Sequence, residues 1–408
     1  MRFWLLLFLP LCLSAWKKPQ PSPEMGRLNQ VLERMGENLQ RLPNYTCLET
    51  IDRTIREASK ERLLVRDRIH LQVAFIGFEE VFAWPGSAKF EPRADIQIAP
   101  GGAGGIGSWG GWSRSVFRSS APIFTYAGEC TVEGRRGMRY DFHVPWASSA
   151  YTVGVGTRQL VVPYAGTFCV DPSSLDVMRL ELRAEVEHLP FAAISETIDY
   201  GRVRIGSADF LLPQLHTLAM TDLEGHEGRN VTTLSACRQY AVDSAPPVPP
   251  QKAEEPQLPA AIYLNLKLET PITFEQYTVG DPVSARLDRG IRARGISVPK
   301  GALVSGRIRR LEERYQPEKH FLVGLEFSTL SFGDTHASFR ARLVGPQLRF
   351  ERRPDSVANP YNAPIIDITG LEIDDSNSSS PFAVFRVRTG RLDLARGLPM
   401  IWKTQGRE

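Results

Sequence analysis

Strict alternation of apolar and charged residues governs what this chain can fold into. Between Asp176 and Glu187, Met178, Leu180, Leu182, Ala184 and Val186 alternate with Arg179, Glu181, Arg183, Glu185 and Glu187. A period of two sends successive side chains to opposite faces of an extended strand, so one face meets a core and the other meets water. The interleaved charges favour pairing across neighbouring strands. Ile69, Leu71, Val73 and Phe75 repeat the pattern, as do Ile262, Leu264, Leu266 and Leu268, and later Ala337, Phe339, Ala341 and Leu343. One segment departs from it. Ser22-Pro23 supplies a capping hydroxyl and a proline at the first helical position, and Leu28, Val31, Leu32, Met35 and Leu39 then recur at helical spacing until Pro43. The first half therefore reads as an antiparallel sheet carrying one amphipathic helix.

At 408 residues the chain is long for a single core, and two domains are expected. Composition changes abruptly at Ala245-Pro246-Pro247-Val248-Pro249-Pro250, followed by Pro256 and Pro259. Such a run cannot supply ladder donors and forms a semi-rigid extended spacer. The expected division is a domain over 22–242, a Pro-rich linker over 243–260 and a second domain over 261–408. Short strands between Gly and Pro turns predict a small β-barrel or sandwich for the last part. Residues 351–381 read as a long loop.

The first residues read as an export signal over 1–15: Arg2, the apolar stretch Phe3–Leu13, then Ser14-Ala15. The stretch is short for a membrane span, and no later apolar run reaches span length, so no transmembrane segment is expected after signal cleavage. Cleavage would remove Cys12 and leave Cys47, Cys130, Cys169 and Cys237. An even count in an exported chain predicts two disulfides and a periplasmic or secreted location. Three connectivities are open. Cys130–Cys169 with Cys47–Cys237 is favoured, because the first pair falls in strands of one sheet and the second in the first and last strands of its domain. No C-x-x-C occurs, which argues against a redox thiol pair.

A formal charge of +3 gives no concentrated basic face, so no nucleic-acid partner is expected. Gly105, Gly107 and Gly110 match G-x-G-x-x-G, but no strand–turn–helix pattern surrounds them, and the stretch reads as a surface loop without a dinucleotide. No cofactor is called for. The histidines (His70, His143, His188, His216, His226, His320 and His336) fall in no zinc spacing, and Ser108 lacks the nucleophile elbow. No metal or catalytic residue is assigned. Aromatics in a glycine-rich loop are costly to leave in water. Trp109, Trp112 and Phe117 are therefore expected to form a lid over an apolar cavity, with Phe82 and Trp84 lining its mouth.

With the helix, Asn44-Tyr45-Thr46-Cys47, and Gly166-Thr167-Phe168-Cys169-Val170-Asp171-Pro172 leading into Met178-Arg179-Leu180-Glu181, residues 24–242 resemble exported bacterial proteins of the LolA/RseB class of lipoprotein carriers and sensors. That resemblance implies a curved antiparallel sheet wrapped around a helix and enclosing an apolar cavity. The C-terminal part is similar, more weakly, to the β-barrel of TrbI-like conjugation-channel proteins, through Gly280-Asp281-Pro282-Val283, Val298-Pro299-Lys300-Gly301, Gly306 and Leu322–Leu330. The expected function is a non-enzymatic periplasmic or secreted protein that binds a lipid, another apolar ligand or a lipoprotein, its barrel docking on an envelope protein partner. The alternative is a structural or assembly module acting through protein contacts. An envelope hydrolase stands third.

Overall fold

The computed structural model describes residues 22–77, 79–87, 90–92, 109–155, 158–240, 257–293, 296–346, 371–373 and 382–406. The expected signal, most of the Pro-rich linker, the glycines before Trp109 and most of 351–381 lie outside the described residues.

Helix α1 (Pro23–Arg41) begins where the capping signal places it, with Ser22 Oγ accepting from the Met25 N–H at 3.3 Å. Glu24 in its first turn and Arg41 in its last complement the helix dipole. Its buried stripe is Leu28, Val31 and Met35. The strands that follow are β1 (Tyr45–Glu57), β2 (Arg62–Ile76), β3 (Glu79–Ala83) and β4 (Glu91–Pro92). A second helix, α2 (Trp109–Phe117), replaces the loop expected there. Then come β5 (Ile123–Val132), β6 (Arg135–Val144), β7 (Thr152–Val155), β8 (Arg158–Val161) and β9 (Tyr164–Val170). The long strands β10 (Val177–Ala184), β11 (Phe191–Ile205), β12 (Ala208–Asp222) and β13 (His226–Gln239) complete this half.

These strands pair antiparallel in the order β4-β3-β2-β1-β13-β12-β11-β10-β9-β6-β5, and β7–β8 form a separate hairpin. The protein is mainly β, with a large curved antiparallel sheet. Both helices sit on its inner face. Leu28, Val31 and Met35 of α1, with Trp112, Val116 and Phe117 of α2, pack on Tyr140, Phe142, Tyr164, Phe168, Leu180 and Ile198. Each such fully buried side chain contributes about 1.5–3 kcal/mol.

The C-terminal half contains β14 (Tyr263–Leu268), β15 (Ile272–Thr273), β16 (Pro282–Leu287), β17 (Ile291–Ala293), β18 (Ile296–Val298), β19 (Leu303–Arg314) and β20 (His320–Phe332). It ends with β21 (Thr335–Ser338), β22 (Arg340–Pro346), β23 (Leu371–Ile373), β24 (Ala383–Val387), β25 (Asp393–Leu394) and β26 (Pro399–Gln405). The described residues form no closed barrel, which corrects the barrel expectation. β19 runs past β16 and spends its last residues on β2 (Asp67↔Glu312, Arg66↔Glu313, Val65↔Arg314), so the ladder opens into the neighbouring sheet. On either side of Phe339, β21 pairs with β20 and β22 pairs with β26. The main ladder is one 20-stranded sheet, and one core joins Ile51, Ile69 and Leu71 with Leu264, Val304 and Phe327.

Two disulfides are present, Cys47–Cys237 and Cys130–Cys169, the pairing favoured from sequence. The first joins β1 to β13 at a bulge between Thr46 and Leu48. The second spans from β5 to β9 across the intervening strand β6. It can do so because Gly137, opposite Cys130, has no side chain: a Cβ there would stand 2.7 Å from Cys169 Sγ. Cys130 stands in the first strand of a hairpin, β5–β6, turned at Glu133 and Gly134, both with positive φ.

Candidate functional site

On β11 the inward positions are Ile194, Glu196 and Ile198, so the strand's own alternation drives a carboxylate into an apolar interior. Glu196 is 5% exposed. Its Oε2 accepts from Trp112 Nε1–H at 2.7 Å and from His216 Nε2 at 2.7 Å, and its Oε1 accepts from the Tyr151 hydroxyl at 2.8 Å. The bond to His216 requires the imidazole proton on Nε2. The Tyr151 phenol is pushed far up, first by burial and then by the Glu196 charge. Beside this node, Ser113 Oγ and the Tyr200 hydroxyl lie 2.9 Å apart, and burial raises the Tyr200 phenol as well. Trp112 and Ser113 are adjacent on α2, so two polar ties hold that helix to β11.

The same polar placement continues on β1 and β2. Arg53, following the inward Ile51, donates from Nε to Asp67 Oδ1 at 2.8 Å and makes a second bond from Nη2 to Oδ2. Both residues are buried. Burial pushes the Asp67 carboxyl up against the opposing pull of Arg53. Across the β2–β19 junction, the fully buried Glu312 receives Arg310 at 2.7 and 3.1 Å and Arg314 at 2.8 Å. Buried pairs of this kind fix geometry more than they stabilise it, because desolvation offsets much of the attraction.

Two of the spaces among the described residues bear on the helices and sheet. A small cleft of about 40 Å³ lies among Leu39, Tyr45, Phe75, Ser113, Leu212 and Pro213, where α1, α2 and the sheet meet. On the outer face, an open trough of about 580 Å³ runs over Ala165, Thr167 and Cys169 of β9. Its walls are Arg139 and Asp141 of β6 and Arg179, Glu181 and Arg183 of β10. Arg139–Asp141 and Arg179–Asp199 ion pairs make this face a solvated, charge-balanced surface.

The five aromatic residues singled out from sequence separate into two places. Trp112 and Phe117 are buried on α2, in the core between the helices and the sheet, and Trp109 is the first residue of that helix. Phe82 is fully buried in the other core, which continues into the C-terminal half. Trp84 packs against that same core and lies under Arg307 and Arg309, whose guanidinium carbons are 5.9 and 4.9 Å from its ring. Burial, together with the neighbouring Arg309, lowers the Arg307 pKa. Glu196, His216 and Tyr151 were missed. The available signal was a glutamate between Ile194 and Ile198 on an otherwise apolar face.

Glu196 and His216 have the spacing of a base and its orienting partner, but Ser113 bonds to Tyr200 rather than to His216. At the exposed β12–β13 turn, Asp222, Glu224 and His226 converge, with His226 Nδ1 3.1 Å from Asp222 Oδ2 and 3.7 Å from Glu224 Oε2. Asp222 Oδ1 also accepts the N–H groups of Glu224 and His226, which is the bonding of a capped turn.

No protein-family model and no curated protein matches this chain. Among solved structures it is similar to a putative outer membrane lipoprotein-sorting protein domain from Vibrio parahaemolyticus, at 9% identity and a TM-score of 0.29, covering 51% of this chain and 90% of that one. It is also similar to a DUF1329 family protein from Desulfovibrio piger, at 11% identity and a TM-score of 0.29, covering 53% of this chain and 93% of that one. Likeness at that level carries no functional weight.

Proposed function

We propose that the N-terminal half is a non-enzymatic, extracytoplasmic binding module whose inner sheet face takes an apolar ligand, the acyl chain of a lipid or lipoprotein, when α2 is displaced. The observation that carries this reading is the make-up of α2. It is nine residues long, with Gly110 and Gly111 in its first turn. A helix that short and glycine-rich does not hold itself together in water. Its position depends on the apolar contacts of Trp112, Val116 and Phe117 and on the ties to Glu196 and Tyr200. Such an element opens at a fraction of the global stability. Once lifted, it leaves aromatic and aliphatic surface suited to an alkyl chain. Two disulfides support an oxidising compartment. The C-terminal half, with Tyr263 and Val344 exposed, is proposed to meet an envelope protein.

The test is native mass spectrometry of the disulfide-bonded chain, with organic extraction of bound material and added palmitate. Uptake supports the module; a clean unliganded mass at saturating palmitate removes it. A second reading, a disulfide-stapled assembly module with a filled interior, is favoured by the small volume, about 40 Å³, of the cleft between the helices and the sheet. It predicts no acyl uptake.

A further inference from the structure

The ladder register gathers one end of many strands into a single rim. Ile123 opposes His143, Val144 opposes Tyr164, and Tyr164 opposes Ala184. Phe191 opposes Asp222, His226 opposes Glu57, and Glu57 opposes Arg62. The chain segment between β6 and β9, with its β7–β8 hairpin, and the β12–β13 turn therefore stand at the same end. On this rim lie Ile123 (65% exposed), Trp146 (67%), Leu160 (36%), Val161 (42%) and Leu223 (71%). Among the described residues, these are all the exposed large apolar side chains of the N-terminal half. The opposite rim carries polar turns at Glu133-Gly134, Asp171–Asp176 and Gly206-Ser207.

We infer that this rim is a docking edge for a lipid bilayer surface, the apolar side chains entering the interfacial layer as separate anchors. Three properties favour a fluid bilayer over a shaped protein partner. The anchors stand on different connections, not on one flat face, and a fluid layer accommodates separate points. An exposed tryptophan with a polar tip suits the membrane–water boundary. The basic groups between the anchors include paired ones, Lys60 and Arg62 with Glu57 and Arg56 with Glu227. Among the described residues the exposed Glu61, Glu187 and Glu224 outnumber the exposed Arg158, so the rim shows no basic patch with which to seek anionic lipid. Attachment is then apolar, holds on zwitterionic lipid and changes little with salt. The apolar cluster of Val153, Val162, Ile194 and Leu218 under the β7–β8 hairpin makes the rim continuous with the interior. Docking itself does not require that interior to open.

The experiment is flotation of the full disulfide-bonded chain with phosphatidylcholine vesicles, with and without phosphatidylglycerol, at low and high salt. The comparison is W146S/L160S/L223S against Y263S/V344S, whose targets are exposed in the C-terminal half. The parent and Y263S/V344S are expected to float with both vesicle types. The rim variant should lose about tenfold or more in partitioning, since it removes three apolar anchors. Binding should stay within about twofold across the salt range, because no charge pairing is involved. A parent that stays unbound overturns the inference. So does a rim variant that floats like the parent, or binding that needs phosphatidylglycerol and fails at high salt. A parent that is dimeric in solution, with the rim variant monomeric and neither floating, assigns the rim to self-association instead. Palmitate uptake by the rim variant, measured in parallel, reads the interior separately, so loss of one property does not imply loss of the other.

Discussion

Replacing Gly137 with alanine probes how the Cys130–Cys169 bond is accommodated. A Cβ at this position would meet Met178 Cε at 2.6 Å, Cys169 Sγ at 2.7 Å and Val170 O at 2.8 Å. The methionine end can swing away at little cost. The carbonyl belongs to ladder backbone, and the sulfur is tethered to the edge strand by its partner. Overpacking of this kind costs about 1–3 kcal/mol. The disulfide closes a loop with a sequence separation of 39, and the loop-entropy relation puts its contribution at about 4 kcal/mol. Urea unfolding of G137A, of C130A/C169A and of the combination forms a double-mutant cycle. Removing the sulfurs leaves only the carbonyl as a fixed obstacle, so alanine should cost at least about 0.5 kcal/mol less there than in the disulfide-bonded chain. Strict additivity would refute the idea that the bond crosses β6 through the space Gly137 leaves.

Four further outcomes follow from the interior. Trp112→Phe removes a donor from the buried Glu196 and should destabilise by about 1–3 kcal/mol in urea unfolding, more than a conservative aromatic exchange elsewhere in that core. Arg53→Met leaves Asp67 buried without its main partner and should cost about 3–5 kcal/mol, much of it recovered in Arg53→Met/Asp67→Leu. Burial raises the phenols of Tyr45, Tyr151 and Tyr200, helped by Glu80 at Tyr45 and Glu196 at Tyr151. A raised folded pKa gives stability that is complete below the unfolded value of about 10 and is lost as pH climbs above it, so the phenolate absorbance of these three tyrosines should appear together with unfolding. We also propose 243–260 as a linker between two parts, 22–242 and 261–408, that stay associated without it. A protease nick there should leave fragments that elute together, held by the β2–β19 ladder and the shared core.

Local periodicity made much of the fold legible. The Ser22-Pro23 start and the Leu28–Val31–Met35 stripe became α1 because capping and spacing act within a few residues. Leu180 and Leu182 are buried while Glu181 and Arg183 are exposed, as a half-solvated strand requires, but Met178 leaves that stripe: a register shift between Val177 and Arg179 puts it in a separate cluster with Val132 and Cys169. What escaped was non-local. Glu196 and His216 become neighbours only through the β11–β12 register, and Asp67 and Glu312 only through a ladder between the two halves. α2 escaped because two glycines hide its propensity, and the sheet, not the segment, supplies its stability. Phe82 and Trp84 sit in the shared core because the C-terminal strands cover β2 and β3, a packing that no local pattern announces.

Hydrogen exchange over 109–117 in the full disulfide-bonded chain, with and without palmitate and run beside native mass spectrometry, tests whether α2 gives way to an acyl chain. The expected result is a palmitate adduct together with a loss of protection confined to α2, as the helix yields its place on the inner sheet face. No adduct at saturating palmitate, or an adduct with α2 protection unchanged, would contradict it.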